Sequence, residues 1–200
     1  MASIDEIYNT LPAHYTLSNK NLIITAHVRD EIIYYYDQLG PTTTIILLAQ
    51  PECYAIKKIF LDFMNDIGTT VIDLREKETF DKNYMMTRKS INVIKRMLME
   101  YEYEKIITHP QYAIDNDPQN RAIYDIVSYI LPKLGKDNHY TYNKINSYDR
   151  PILPCGIKKE IIKLYSRVVT NNNELDKNIY DNYMNIASTI SGIRKISYNS

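Results

Sequence analysis

Apolar runs alternate with amphipathic segments along most of the chain. Asn21 to Ala26 (Asn-Leu-Ile-Ile-Thr-Ala) is rich in branched residues and predicts a buried strand. The polar cluster His27-Val28-Arg29-Asp30-Glu31 breaks it, and a helical pattern runs from about Asp30 to Leu39, stopped by Gly40-Pro41. Thr42 to Ala49 is a second continuous apolar run, suited to a strand covered on both faces, and Gln50-Pro51-Glu52 turns the chain. Ile56, Ile59, Phe60, Phe63 and Ile67 then recur at steps of three and four up to Gly68, the spacing of one helical face. Thr69 to Leu74 predicts a third strand and Arg75 to Thr87 a charged loop. Ile91, Ile94, Met97 and Leu98 mark a helix to about Tyr101. Glu104 to Thr108 predicts a fourth strand, which empties into the polar loop His109 to Pro118. Ala122, Ile123, Ile126, Val127 and Ile130 give the next helix, ended near Pro132.

Strand and helix in regular alternation imply parallel strands joined by right-handed crossovers, with helices on both faces. The pattern therefore predicts an α/β fold, a Rossmann-like three-layer sandwich with a mostly parallel sheet. Residues 3 to 20 read as a lead-in to the first strand. His139 to Asn143, with its Tyr140-Thr141-Tyr142 alternation, reads as an edge strand. Two helices near 157–169 and 174–190 are expected to pack on the sheet. With 200 residues, no internal repeat and no low-complexity linker, one domain spanning 1–200 is expected.

Composition removes several partners. Lys+Arg and Asp+Glu both number 24, and no block of one sign stands out to draw the chain to nucleic acid or an anionic membrane. Cys53 and Cys155 lack zinc-finger or CxxC spacing and read as reduced thiols. The first residues lack a basic-then-apolar leader, and no apolar run approaches the roughly 18 residues that span a bilayer. A cytoplasmic protein is the expectation. Nineteen Tyr against three Phe and no Trp, with many Ile, Asn and Lys, fit the codon bias of an AT-rich genome.

No glycine-rich phosphate loop follows the first strand, and no GxSxG elbow occurs, so dinucleotide, P-loop and serine-hydrolase readings have no anchor. Two polar loops remain, after the first and fourth strands, at the edge of a parallel sheet where ligands bind. His27 and Asp30 have spacing that, with one more nitrogen or oxygen donor, could hold a metal and leave a position for water. They could equally cap a helix start, where a carboxylate is stabilised. His14 and His139 read as surface or packing groups. Tyr34-Tyr35-Tyr36 point three ways around a helix, so at most part of the run can line a pocket. Arg75, Glu76, Lys77 and Glu78 read as a solvated loop or, at a strand end, a pocket wall.

Ile24-Thr25-Ala26-His27-Val28-Arg29-Asp30-Glu31 resembles the AHPDDE signature that ends the first strand in the LmbE/PIG-L family, zinc-dependent deacetylases of N-acetylglucosamine-containing substrates. Ile106-Ile107-Thr108-His109-Pro110 and Asp115-Asn116-Asp117-Pro118-Gln119-Asn120-Arg121-Ala122 resemble its second signature, a strand ending in TH and then D-x-HPDHRA. The resemblance covers about residues 20 to 135. It implies that His27, Asp30 and Asn120 stand at the metal-ligand positions and Arg29 at that of the general base. Asp117 stands at that of the histidine assisting the tetrahedral intermediate, and Arg121 matches as it stands. These substitutions bear on mechanism. Arginine cannot accept a proton, its fixed charge disfavours a neighbouring cation, and an asparagine oxygen is a poor zinc donor beside imidazole. Glu31 or Asp117 could replace the base and His109 could enter as a ligand or contact substrate. Alternatively, Arg29 fills the metal's place and pairs with Asp30 and Asp117, giving a salt-bridged pocket.

The resemblance thus implies a diverged amide hydrolase with impaired or lost deacetylation, zinc in doubt, and an amino sugar or nucleotide-sugar as the small-molecule partner. A non-catalytic sugar-binding or scaffold protein is the alternative. A glycosyltransferase-like enzyme is a lesser one, because Asp115-Asn116-Asp117 matches a D-x-D pattern.

Overall fold

A computed structural model describes residues 20–27, 38–50, 54–111, 117–144, 181 and 190–198. Six strands and three longer helices are defined: β1 (Asn21–Thr25), β2 (Thr43–Gln50), α1 (Tyr54–Asp66), β3 (Thr70–Lys77), α2 (Arg88–Glu100), β4 (Lys105–Thr108), α3 (Pro118–Lys133), β5 (His139–Lys144) and β6 (Ile190–Lys195). They build one six-stranded sheet in the order β3-β2-β1-β4-β5-β6. The first five strands run parallel, and β6 pairs antiparallel to β5. The fold class is that expected from the alternating pattern.

The continuous apolar runs are explained by burial on both faces. Leu22, Ile24, Ala26, Ile46, Leu48 and Ile106 pack in one cluster with Val93, Ile94, Met97 and Leu98 of α2 and Ile123, Val127, Ile130 and Leu131 of α3. The alternate residues Ile23, Ile45, Leu47 and Ile107 are also fully buried, as are Phe60 and Met64 of α1. Each such aliphatic side chain contributes about 1.5–3 kcal/mol by leaving water. Gly68 lies in the turn between α1 and β3 at φ +75°, and a Cβ there would lie 3.3 Å from the Pro41 ring. That position requires glycine.

Two expectations need correction, the extent of β3 and the place of β5. β3 continues to Lys77, into the segment read as loop, because Glu76 and Lys77 pair with Ala49 and Gln50 beyond a bulge at Leu74 and Arg75, with Arg75 at φ +60°. α3 begins at Pro118, where the polar loop was expected to end, and Asp117 caps it. β5 is not an edge strand: Ile190 to Lys195, read as helix at its start and unassigned thereafter, lies outside it. The helix expected from Asp30, Tyr34-Tyr35-Tyr36, His14, both cysteines and most of the two C-terminal helices lie outside the described residues. Asp181, within the second, is helical.

In this strand order the chain leaves β1 first toward β2 and later places β4 on its other side. The crevice beyond their carboxyl ends is the switch point where doubly wound sheets bind ligands. His27 follows β1 there and His109 follows β4.

Candidate functional site

The first turn of α3 organises this crevice. Asp117 is its N-cap, with Oδ1 accepting the backbone N–H groups of Gln119 (2.9 Å) and Asn120 (2.8 Å). Pro118 follows at the position where a missing N–H costs nothing. Asn120 Oδ1 accepts the N–H of Ala26 at 3.0 Å, fixing the bend after β1. Gln119 holds the segment after β3 from both sides: its Oε1 accepts the N–H of Thr79 and its amide nitrogen donates to the Lys77 carbonyl, both at 3.1 Å. All three polar side chains are buried, each with a named partner.

The second oxygen of Asp117 meets His27. The imidazole is 4 % exposed, with Nε2 2.7 Å from Asp117 Oδ2 and Nδ1 2.9 Å from Glu78 Oε1. Burial works to raise the Asp117 carboxyl. The hydrogen bond and charge of His27 and the two helix amides outweigh it and hold Asp117 below the usual carboxylate range. An ionised Asp117 accepts a proton bond from Nε2, and a carboxylate at Nδ1 accepts one there too. His27 is thus bracketed by the Glu78 and Asp117 carboxyl groups, an arrangement that favours a doubly protonated ring donating to both.

The loop beyond Glu78 is braced. Glu76, buried at the end of β3, accepts the hydroxyls of Tyr84 and Thr87 and the Thr87 N–H at 3.0 Å. Burial opposes its ionisation, but the bonds from Ser90, Tyr84 and Thr87 keep its carboxyl low. Burial and Glu76 push the Tyr84 phenol well up. Phe80, between these anchors, lies nearly parallel to the His27 ring at 19°, centroids 6.3 Å apart.

The structure thus brings His27 against Asp117, and Asn120 against the backbone of Ala26 beside it, across about ninety residues of chain. Arg29, Asp30 and Glu31, with Asp115 and Asn116, lie outside the described residues. Arg121 is not gathered in: its exposed guanidinium group pairs along the helix with Asp125 at 3.8 Å. His109 is buried and packs edge-on against Tyr142 at 5.3 Å. Glu78, Gln119 and Phe80 were not named as site residues by sequence reasoning. The only signal was that Glu78 closes a charged run at a strand end.

The donor set among the described residues does not fit zinc. No three of their His, Cys, Asp or Glu side chains are arranged to hold a metal ion. Asn120 Oδ1 is engaged by Ala26, and both nitrogens of His27 face carboxylates. A cation binding at His27 would compete with a carboxyl group at either ring nitrogen.

No family model and no curated protein sequence matches the chain. Solved structures do. An N,N'-diacetylchitobiose deacetylase from Pyrococcus horikoshii superposes with a TM-score of 0.58 at 10 % identity, covering 98 % of this chain and 94 % of its own. A conserved protein from Thermus thermophilus matches at 0.54 and 10 % identity, with 90 % and 97 % covered. The 4-carboxy-2-hydroxymuconate hydratase of Pseudomonas putida matches at 0.51 and 9 % identity, with 90 % and 98 % covered. A hydratase among these neighbours means that the architecture does not fix the reaction. The six-stranded, mostly parallel sheet has the fold of the LmbE/PIG-L-type deacetylases.

Proposed function

We propose that this chain is a diverged, deacetylase-like protein whose strand-end crevice binds an amino sugar or nucleotide-sugar and has given up zinc-dependent amide hydrolysis. The observation that carries the reading is His27 held on both ring nitrogens by carboxylates. Deacetylation on a metal needs a nitrogen lone pair for the ion and a base for the water. Here Nε2 and Nδ1 are spent on Asp117 and Glu78, and Asp117 is spent on His27 and on capping α3. The position of the expected base carries Arg29, which cannot accept a proton. The likeness in fold to a diacetylchitobiose deacetylase supports a sugar as the ligand class.

Elemental analysis of the purified chain, together with acetate release from N-acetylglucosamine and N,N'-diacetylchitobiose, tests this. Substoichiometric zinc, no acetate release and measurable sugar binding are expected. Stoichiometric zinc with acetate release would overturn the loss of catalysis, and absence of sugar binding would favour the scaffold alternative. Binding of a nucleotide diphosphate with manganese or magnesium, without zinc, would favour the glycosyltransferase-like one.

A further inference from the structure

We propose that Phe80 is the stacking platform of this site, presenting its ring to the apolar face of a pyranose. The inference rests on the reading that the crevice takes a sugar. Phe80 is 66 % exposed, so it contributes little to the core, yet its ring is set nearly parallel to the buried imidazole of His27. The segment that carries it is fixed rather than draped. Thr79 is bonded to Gln119, Asp81 N–H to the Thr79 hydroxyl at 3.2 Å, Asn83 N–H to Asp81 Oδ1 at 2.9 Å, and Tyr84 N–H to the Asp81 carbonyl at 2.9 Å.

A held, exposed aromatic ring set nearly parallel to a histidine that faces two carboxyl groups suits a ligand with one apolar face and a polar rim. Small-molecule sites combine an aromatic surface with a few placed polar groups in this way. A pyranose has such a face in its C–H bonds, and its hydroxyls and amino or acetamido group need acceptors at the rim. Glu78, two residues before Phe80 and one-fifth exposed, is the one of the two carboxyl groups facing His27 that reaches solvent. Among the described residues the other large exposed apolar side chains are Met99 of α2, Tyr129 of α3 and Met85 of the same loop, and Phe80 is distinguished from them by a ring set nearly parallel to that of His27.

Calorimetric titration of the full chain with glucosamine, N-acetylglucosamine and N,N'-diacetylchitobiose tests the assignment. Phe80→Ala should weaken binding about tenfold, the order expected when an aromatic stack is lost. Phe80→Leu, which keeps apolar area without a flat ring, should weaken it comparably. Phe80→Tyr should restore binding, and Met85→Ala, an exposed neighbour on the same loop, should leave it unchanged. Wild-type affinity in both the Ala and Leu variants would overturn the platform while leaving the sugar site standing. Absence of binding by the wild type to all three sugars would overturn the sugar reading and the platform with it.

Discussion

Two buried histidines show how partners, rather than burial, decide what an imidazole does. His27 is 4 % exposed and His139 is fully buried. His27 sits in the crevice after β1 with a carboxylate on each nitrogen. His139 opens β5 with a hydroxyl on each: Thr108 Oγ1 at Nε2, 2.7 Å away, and Tyr198 at Nδ1. Thr108 already donates its proton to the His109 carbonyl at 3.0 Å, so it accepts from Nε2–H, and the Tyr198 phenol donates to Nδ1. His139 is therefore a neutral imidazole in one tautomer, whereas the carboxyl group at each nitrogen of His27 favours a ring that donates at both. Burial lowers His139 to about 4 and pushes Tyr198 up to about 12, keeping that network uncharged. One histidine locks strands together, and the other concentrates charge where the sheet opens.

The sharpest way to break the contrast is Asp117→Ala. It removes the only carboxylate facing Nε2 among the described partners and the acceptor for two helix amides at once. Breaking a buried pair by deleting one partner costs about 3–5 kcal/mol, and a lost cap alone about 1. Urea unfolding should show a loss in the upper range, with Asp117→Asn, which can still cap, losing less. A loss near 1 kcal/mol would mean that the cap, and not the pairing with His27, is what Asp117 supplies.

Next in size is the pH dependence of stability, where the two histidine environments separate into windows. His139 has a lowered folded value, so its contribution is complete above 6.5 and declines as pH falls from there toward 4, because the unfolded chain takes up the proton first. The decline amounts to about 3 kcal/mol. Asp117, also lowered, contributes above the unfolded carboxylate value and loses that contribution only as pH falls through its still lower folded value. Stability should fall in two stages, and His139→Gln should flatten the first without moving the second. A single stage below pH 4 in the wild type would show that His139 is protonated in the folded chain.

How much of this was legible in the sequence follows from the range of each signal. The parallel sheet was readable because runs such as Ile45 to Leu48 state burial on both faces locally. β6 was not, because Ile190-Ser191-Gly192-Ile193 has too little apolar content to mark a strand until β5 offers its edge. At the site, the spacing of His27 and Asp117 within two strand-end motifs located the crevice. The partner on Nδ1 was hidden, since nothing local distinguishes Glu78 from Glu76. The bulge at Arg75 is part of the reason, because an extra residue in β3 resets which side chains face the core. His139 illustrates the converse: read as a surface or packing group, it is buried among hydroxyls contributed by β4 and the C-terminal segment.

Thr108→Val tests the neutral network by itself. The substitution keeps the shape and removes the hydroxyl between His139 Nε2 and the His109 carbonyl. Leaving a buried N–H without an acceptor should cost about 1–3 kcal/mol. The loss should shrink in the double variant with His139→Gln if the two groups act as a pair. An unchanged loss in that background would place the role of Thr108 elsewhere, in the strand itself.

Glu78→Gln should have the smallest effect and the finest resolving power. Glutamine can still accept from His27 Nδ1, so the substitution removes charge and keeps the contact. The side chain is one-fifth exposed and solvent screens it, so the stability loss should be below about 1 kcal/mol and diminish with added salt. The informative measurement is the nitrogen spectrum of the labelled chain at neutral pH. In the wild type, His27 should show two protonated nitrogens and His139 one. With Glu78→Gln, a His27 that keeps both protons would identify Asp117 as sufficient to hold the imidazolium. A His27 that loses one would make Glu78 the group that keeps a lone pair from becoming available to a metal. That variant would then be expected to gain affinity for zinc relative to the wild type, measurable by equilibrium dialysis. Wild-type zinc affinity in a variant that has lost the proton would show that a lone pair on His27 is not the element missing from the metal site, and would move the explanation to Asn120, whose oxygen is committed to Ala26.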